Sequence, residues 1–277
     1  MYNVSPAISP DGGKIAFLTN NLSYFDIDLI DAVTGKKIKK LIKGSRSLDF
    51  EELKFLQPGI SWSPDSKKIV FAAKSGSGDA LYIVDIESER KEKIPFELDG
   101  VFSATWSPQG DKLAFVGYEK GASDIYIYDI NKKTHFNLTK DIYSDSEPSW
   151  SPDGSSIAFV SDRDDAVKKS ISTAQDMISV DYESKDIYVI NIETENLKQI
   201  TSTGYNEDYP VFANTEKSLF YIADSSGTWN LFKYDLVSGS TSIITNLLTG
   251  IFQLSINKYD DAMVFSGYSN RGWDVYR

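Results

Sequence analysis

The sequence predicts an all-β chain: a six-bladed β-propeller of four-stranded antiparallel blades, with the last blade incomplete and two short helical insertions. Three observations predict it. The phrase Ser151-Pro152-Asp153-Gly154, followed by Ile157-Ala158-Phe159, recurs in some form six times from end to end. Aromatic and β-branched residues alternate between turn signals, the pattern of half-buried strands. The spacing between copies is nearly constant, at four strands per roughly 44 residues, which suits one blade of a propeller. Repetition over all 277 residues argues for one domain spanning 1–277.

The elements follow in order within each repeat. An apolar anchor closes the first strand: Ile8, Trp62, Trp106, Trp150, Phe212 and Ile256. A Ser-Pro-Asp-Gly turn comes next, as Ser9-Pro10-Asp11-Gly12, Ser63-Pro64-Asp65-Ser66 and Ser107-Pro108-Gln109-Gly110, with weaker copies in 213–221 and 257–265. Proline presets φ in such a turn, and glycine takes the left-handed conformation that closes the hairpin. Ser66, Glu216 and Asp260 stand in the glycine position and would carry about 1 kcal/mol of strain each if the turn is kept. The second strand is the Ile-Ala-Phe run. The third begins nine positions after its phenylalanine, as in Asp124-Ile125-Tyr126; in the fourth repeat the interval is longer and the strand is Asp186-Ile187-Tyr188. A short fourth strand ends in Leu138-Thr139 or Ile200-Thr201.

This Ser-Pro-Asp-Gly-x-x-Ile-Ala-Phe…Asp-Ile-Tyr…Leu-Thr pattern resembles the WD-like repeat of TolB-like β-propellers over essentially the whole chain. The resemblance implies extracytoplasmic bacterial proteins of the periplasm or cell envelope, which bind a protein or peptide partner through a loop-rich mouth or central channel. The same repeat also serves as an accessory, substrate-gating propeller in peptidases and other hydrolases, so that alternative stays open.

Two repeats break the count. Phe17 to Asp31, Phe71 to Asp85, Phe115 to Asp129 and Tyr221 to Asp235 each span 14 positions, but Phe159 to Asn191 spans 32. The step from the third strand to the next anchor is 21 positions in repeats 2 to 5, but 31 from Asp31 to Trp62. The first excess falls near 47–56, where Asp49 and Glu52 have capping-box spacing, so a short helix is expected ahead of Pro58. The second falls near 164–184, where Val167, Ile171, Ala174 and Ile178 would share a helical face. By topology both decorate one mouth of the channel, as a lid or docking element or as local packing.

Residues three to five positions before each anchor should face that mouth. Repeat 4 offers Asp145 and Glu147; repeat 5 offers Glu207, Asp208 and Tyr209; repeats 3 and 6 offer Phe102 and Phe252. Asn3, Ser5, Gln57 and Gly59 complete the circuit. The result is an acidic arc with two aromatic flanks, suited to a basic peptide segment. The carboxylates Asp145, Glu147, Glu207 and Asp208 are also candidate ligands for a hard divalent cation such as calcium, which prefers oxygen donors. The same side chains would otherwise serve as solvated turn residues or caps on backbone amides.

Composition narrows the chemistry. A net charge of −11 removes the electrostatic footprint of nucleic-acid binding. No stretch is long and apolar enough for a membrane span, and a monomer that does not insert in membranes is expected. Absence of cysteine excludes thiolate chemistry, and a single histidine, His135, falls in a predicted outermost strand. Catalysis by a Ser–His–Asp or Cys–His system is therefore not expected, nor is any required cofactor. A carboxylate pair drawn from Asp145 or Glu147 with Glu207 or Asp208 would be the one set able to act as acid and base on a glycoside. The sixth repeat stops at Tyr276-Arg277 without a fourth strand, and the expectation is of a propeller excised from a longer protein.

Overall fold

The computed structural model describes residues 2–21, 24–44, 52–54, 59–76, 78–163, 185–269 and 271–277. Twenty-four strands and no helix occur among the described residues. In chain order the first are β1 (Tyr2–Ile8), β2 (Lys14–Asn21), β3 (Tyr24–Asp31), β4 (Lys37–Ile42), β5 (Glu52–Leu53), β6 (Ser61–Trp62), β7 (Lys68–Ser75), β8 (Gly78–Asp85) and β9 (Lys91–Pro95). They are followed by β10 (Gly100–Trp106), β11 (Lys112–Glu119), β12 (Ala122–Asp129), β13 (Thr134–Asn137), β14 (Asp145–Trp150), β15 (Ser156–Ser161), β16 (Asp186–Asn191) and β17 (Leu197–Gln199). The last are β18 (Glu207–Phe212), β19 (Ser218–Ala223), β20 (Asn230–Asp235), β21 (Thr241–Ile243), β22 (Ile251–Ile256), β23 (Met263–Ser269) and β24 (Gly272–Tyr276).

Consecutive strands pair antiparallel, giving four-stranded sheets β10 to β13, β14 to β17 and β18 to β21. In the second repeat β5 and β6 both pair with β7, so its first strand is interrupted. The runs β1 to β4 and β22 to β24 join into one sheet through a single parallel bridge, Tyr2 to Trp273. The first strands neighbour one another in sequence order: β1 packs on β6, β6 on β10, β10 on β14, β14 on β18, β18 on β22, and β22 on β1.

The expected helix near 47–56 needs correction where it is described. Glu52 and Leu53 are a strand paired with Lys74 and Ala73. Backbone groups at the end of β7 need partners, and that tertiary demand outweighs the local capping signal of Asp49 and Glu52. The remainder of that insertion, and the whole helical expectation for 164–184, lie outside the described residues.

Each joint between repeats carries its own apolar cluster. Ile69, Phe71 and Trp62 pack with Ile27, Leu29 and Ile42; Phe115 and Val101 with Leu81 and Ile94; Ile157, Phe159 and Trp150 with Ile125 and Leu138. The anchor tryptophans peg neighbours together, since Trp62 Nε1 donates to the Ala7 carbonyl at 2.9 Å and Trp150 Nε1 to that of Thr105 at 3.3 Å. The predicted turn chemistry recurs. Ser9 Oγ donates to Asp11 Oδ1 at 2.6 Å and accepts from Lys14 N–H at 2.9 Å, and Ser151 does the same with Asp153 and Ser156. Ser66 and Asp260 adopt the glycine-like φ of 59° and 58°, whereas Glu216 does not.

Candidate functional site

The position three residues before each anchor is where the first strand departs from regular pairing. The register shifts between Val4 and Ala7, Phe102 and Thr105, Ser146 and Ser149, Asp208 and Val211, and Phe252 and Ser255. Within these bulges Ser5, Ser103, Glu147, Tyr209 and Gln253 hold positive φ, between 47° and 60°. A left-handed conformation costs a non-glycine residue about 1–2 kcal/mol and persists where its surroundings dictate it. Here the bulge re-aims the chain toward the centre of the ring, as bulges commonly do. Ser5, Gly59, Ser103, Glu147, Tyr209 and Gln253 all line one central cavity of about 250 Å3.

Side chains at this level tie successive repeats together. Glu147 Oε2 accepts the Tyr209 backbone N–H at 2.6 Å, and Gln253 Oε1 accepts that of Ser5 at 2.6 Å. Two residues on, Ser61 Oγ accepts the Trp106 N–H at 3.1 Å and Ser255 Oγ the Ile8 N–H at 3.2 Å. Burial pushes the Glu147 carboxyl up to about 8; nearby Asp208 adds to the rise, and the Tyr209 N–H opposes it. Asp208 is raised to about 6 by burial, with Lys185 pulling downward and Asp224 upward. The Tyr209 phenol is raised, first by burial and then by Glu147 and Asp208.

Asp145 and Glu207, like Asp208, are not among the residues that line the cavity. Asp145 is fully buried at 0% exposure, and both its oxygens are held by Arg163, itself 2% exposed, at 2.7 and 3.0 Å. Arg163 also pairs with Asp141, and its guanidinium lies 5.0 Å from the Phe159 ring and 5.6 Å from that of Tyr188. Burial pushes the Asp145 carboxyl up to about 7, against the downward pull of Arg163, whose bidentate guanidinium favours the ionised form. Glu207 is likewise 0% exposed. Its Oε1 accepts the Thr203 hydroxyl at 2.8 Å, its Oε2 is buried without a hydrogen-bond partner, and burial raises its carboxyl to about 8.

Of the four candidate cation ligands, Glu147 and Asp208 interact across two repeats, while Asp145 and Glu207 are fully buried at the starts of β14 and β18. Among the described residues, the three carboxylates whose oxygens approach one another within 4.8 Å are instead Asp124, Asp141 and Asp145, a spacing able to hold a metal ion. The Arg163 guanidinium already bonds to Asp141 and Asp145 of that group. The glycosidase-type pairing likewise retains one carboxyl on the cavity wall, Glu147.

Phe102 is half-buried in the joint between repeats 3 and 4, with Lys54 Nζ 5.0 Å from its ring centroid. Phe252 forms a half-exposed aromatic row, 5.8 Å from Trp229 and 5.1 Å from Trp273, which in turn lies 5.5 Å from Tyr268. His135 is exposed on β13, the outermost strand of its sheet, with its ring 5.3 Å from Phe96. Gln57 lies outside the described residues. Sequence reasoning passed over Arg163, Ser103 and Gln253. Counting three back from the anchor would have found the last two. Arg163 was signalled only by being basic where the aligned positions hold Asn21, Ser75, Glu119, Ser225 and Ser269.

Residues 54–168 match the family described as the TolB beta propeller domain. No curated protein matches the sequence. Among solved structures, TolB from Acinetobacter baumannii is similar with a TM-score of 0.66 and 21% identity, covering 86% of this chain and 53% of that one. A putative TolB from Agrobacterium tumefaciens gives 0.63 and 21%, covering 76% and 70%. The β-propeller domain of the trilobed protease from Pyrococcus furiosus, which has an open velcro topology, gives 0.61 and 14%, covering 99% and 92%. The chain thus spans about half the length of the Acinetobacter TolB.

Proposed function

We propose that this chain, similar in fold to TolB and matching the TolB beta propeller domain over residues 54–168, forms six blades of one propeller over 1–277 from its six repeats, and that it is a noncatalytic recognition module. Its ligand is a basic segment of a polypeptide partner, received at the mouth and upper channel. The closed circuit of first strands supports the blade count. The observation that carries the binding reading is Glu147. It lines the central cavity, it is raised to about 8 by burial and by Asp208, and it stands beside a tyrosine and a glutamine. A carboxyl held protonated by desolvation gains most from a cation that arrives with its own charge, so binding of an ammonium or guanidinium group releases the proton. The overall charge of −11 adds long-range attraction for a basic partner. Likeness to TolB supports a location in the cell envelope, outside the cytoplasm.

The second reading is the accessory propeller of a peptidase, favoured by the likeness to the trilobed protease domain over 99% of this chain. In that reading the same channel passes or presents substrate. Calorimetric titration with pentalysine tests the shared claim. Heat of binding is expected for the unaltered protein and a clearly weaker affinity for Glu147→Gln, which keeps an oxygen for the Tyr209 N–H. Equal affinities would remove Glu147 from the site.

A further inference from the structure

Near the head of the third strand, the first three repeats each place a buried aspartate among basic groups. Asp26 pairs with Lys40, and Asp79 with Lys54 at 2.9 Å. Asp124 lies in the cluster with Asp141 and Asp145, where the Arg163 guanidinium enters. The joint between the fourth and fifth repeats reproduces that last cluster position by position. Asp186 corresponds to Asp124, Thr203 to Asp141, Glu207 to Asp145 and Ser225 to Arg163. The hydrogen bonds correspond as well. Thr203 N–H donates to Asp186 Oδ1 at 3.2 Å, as Asp141 N–H does to Asp124 Oδ1 at 3.2 Å. Gln199 Nε2 donates to Asp186 Oδ2 as Asn137 Nδ2 does to Asp124 Oδ2.

The position that supplies the guanidinium is what differs. Ser225 is short and exposed where Arg163 is long and buried. Yet Glu207 is as deeply buried as Asp145, and among the described residues its Oε2 has no hydrogen-bond partner. Asp186, itself buried, is close enough for its charge to push the Glu207 carboxyl up. Buried charges are either paired or bound to a metal, because an isolated charge is too costly away from water. In the metal-free protein a proton meets that need at Glu207. The oxygens gathered here are two carboxyl groups, the Thr203 hydroxyl and the Tyr205 carbonyl. The hydroxyl donates to Glu207 Oε1 at 2.8 Å and lies 3.1 Å from that carbonyl. All of them are hard donors.

We propose that Glu207 and Asp186 form a calcium site at the joint of the fourth and fifth repeats, the ion serving there as the Arg163 guanidinium serves one repeat earlier. Glu207 and Asp186 supply the charge, and the Thr203 hydroxyl and Tyr205 carbonyl supply neutral oxygens. Two carboxylates match a divalent ion. Calcium fits better than magnesium, which keeps several waters, because Glu207 and Asp186 are buried and leave little room for them. The loop 202–206, exposed at Ser202 and Gly204, is the path to solvent. The ion would fix the start of β18, and with it Tyr209 on the cavity wall two residues on. The site itself lies outside the cavity and does not rest on the recognition reading.

Calorimetry on chelator-treated protein should show a single calcium bound per chain, and millimolar calcium should raise the melting temperature by mass action. Glu207→Gln and Asp186→Asn each keep the size of the side chain while removing its charge. Each should weaken calcium binding about tenfold or more. Hydrogen exchange on the unaltered protein should show calcium protecting the amides of 203–207, a readout that needs no variant. Absence of both calcium heat and a rise in melting temperature would overturn the proposal. So would unaltered affinity in the two variants, or calcium protection that spares 203–207. Magnesium binding as tightly as calcium would overturn the choice of ion.

Discussion

Asp145 and Glu207 occupy the same place in successive repeats, five residues before the anchors Trp150 and Phe212. Their surroundings correspond in Thr139 and Thr201 and in Tyr143 and Tyr205, but differ where Arg163 is matched by Ser225. A buried carboxylate without a counter-charge is too costly to keep ionised. Repeat 4 meets that requirement with a guanidinium, and repeat 5 meets it with a proton. Arg163→Met would leave Asp145 buried and unpaired, and should destabilise the protein by about 3–5 kcal/mol in urea unfolding. Glu207 titrates near 8 in the folded protein against a usual 4.5. The folded state therefore holds a proton that the unfolded chain has released, and stability is full below about pH 4.5 and falls as pH rises toward 8. Melting temperatures across that interval should decline less steeply for Glu207→Gln than for the unaltered protein. The acidity of these positions was legible in the sequence, but the arginine was not. It lies 18 positions from Asp145, across a hairpin, and only the paired strands bring it round.

Strand order and turn chemistry were legible because each repeat states them locally. Asp31, Asp85, Asp129 and Asp235 accept the backbone N–H groups two and three residues ahead, as turn aspartates do. The bulge was less legible, because no glycine announces the positive φ of Glu147 or Tyr209. Its nearest local mark is the proline that follows in three repeats, Pro6, Pro148 and Pro210, which has no N–H to leave unpaired in an irregular ladder. The Asp49–Glu52 cap signal misled because β7 demanded a strand partner there. At this scale the testable device is the threonine that follows the fourth strand. Thr245→Val removes the acceptor of the Leu231 N–H, and should cost about 1–3 kcal/mol and speed exchange of that amide.

For the whole molecule, the anchors of six repeats define a ring of first strands, and the proposed recognition site lies where that ring lines the central cavity. An acidic chain whose cavity carboxyl, Glu147, is raised to about 8, with Asp208 nearby raised to about 6, should bind a cationic segment more tightly as pH rises from about 6 to 9. Calorimetry with pentalysine at several pH values should show affinity and proton release changing together. Salt should weaken the attraction, since its long-range part is screened within about 10 Å at 0.1 M. The central claim, that recognition takes place on the first strands at the channel, is tested most directly by hydrogen-exchange mass spectrometry with and without pentalysine above about pH 8, where Glu147 is ionised. The account predicts new protection in 145–149 and 205–211, with none in the turns at 129–133 and 191–195 on the opposite face. Protection confined to those turns, or spread evenly over the acidic surface, would contradict it.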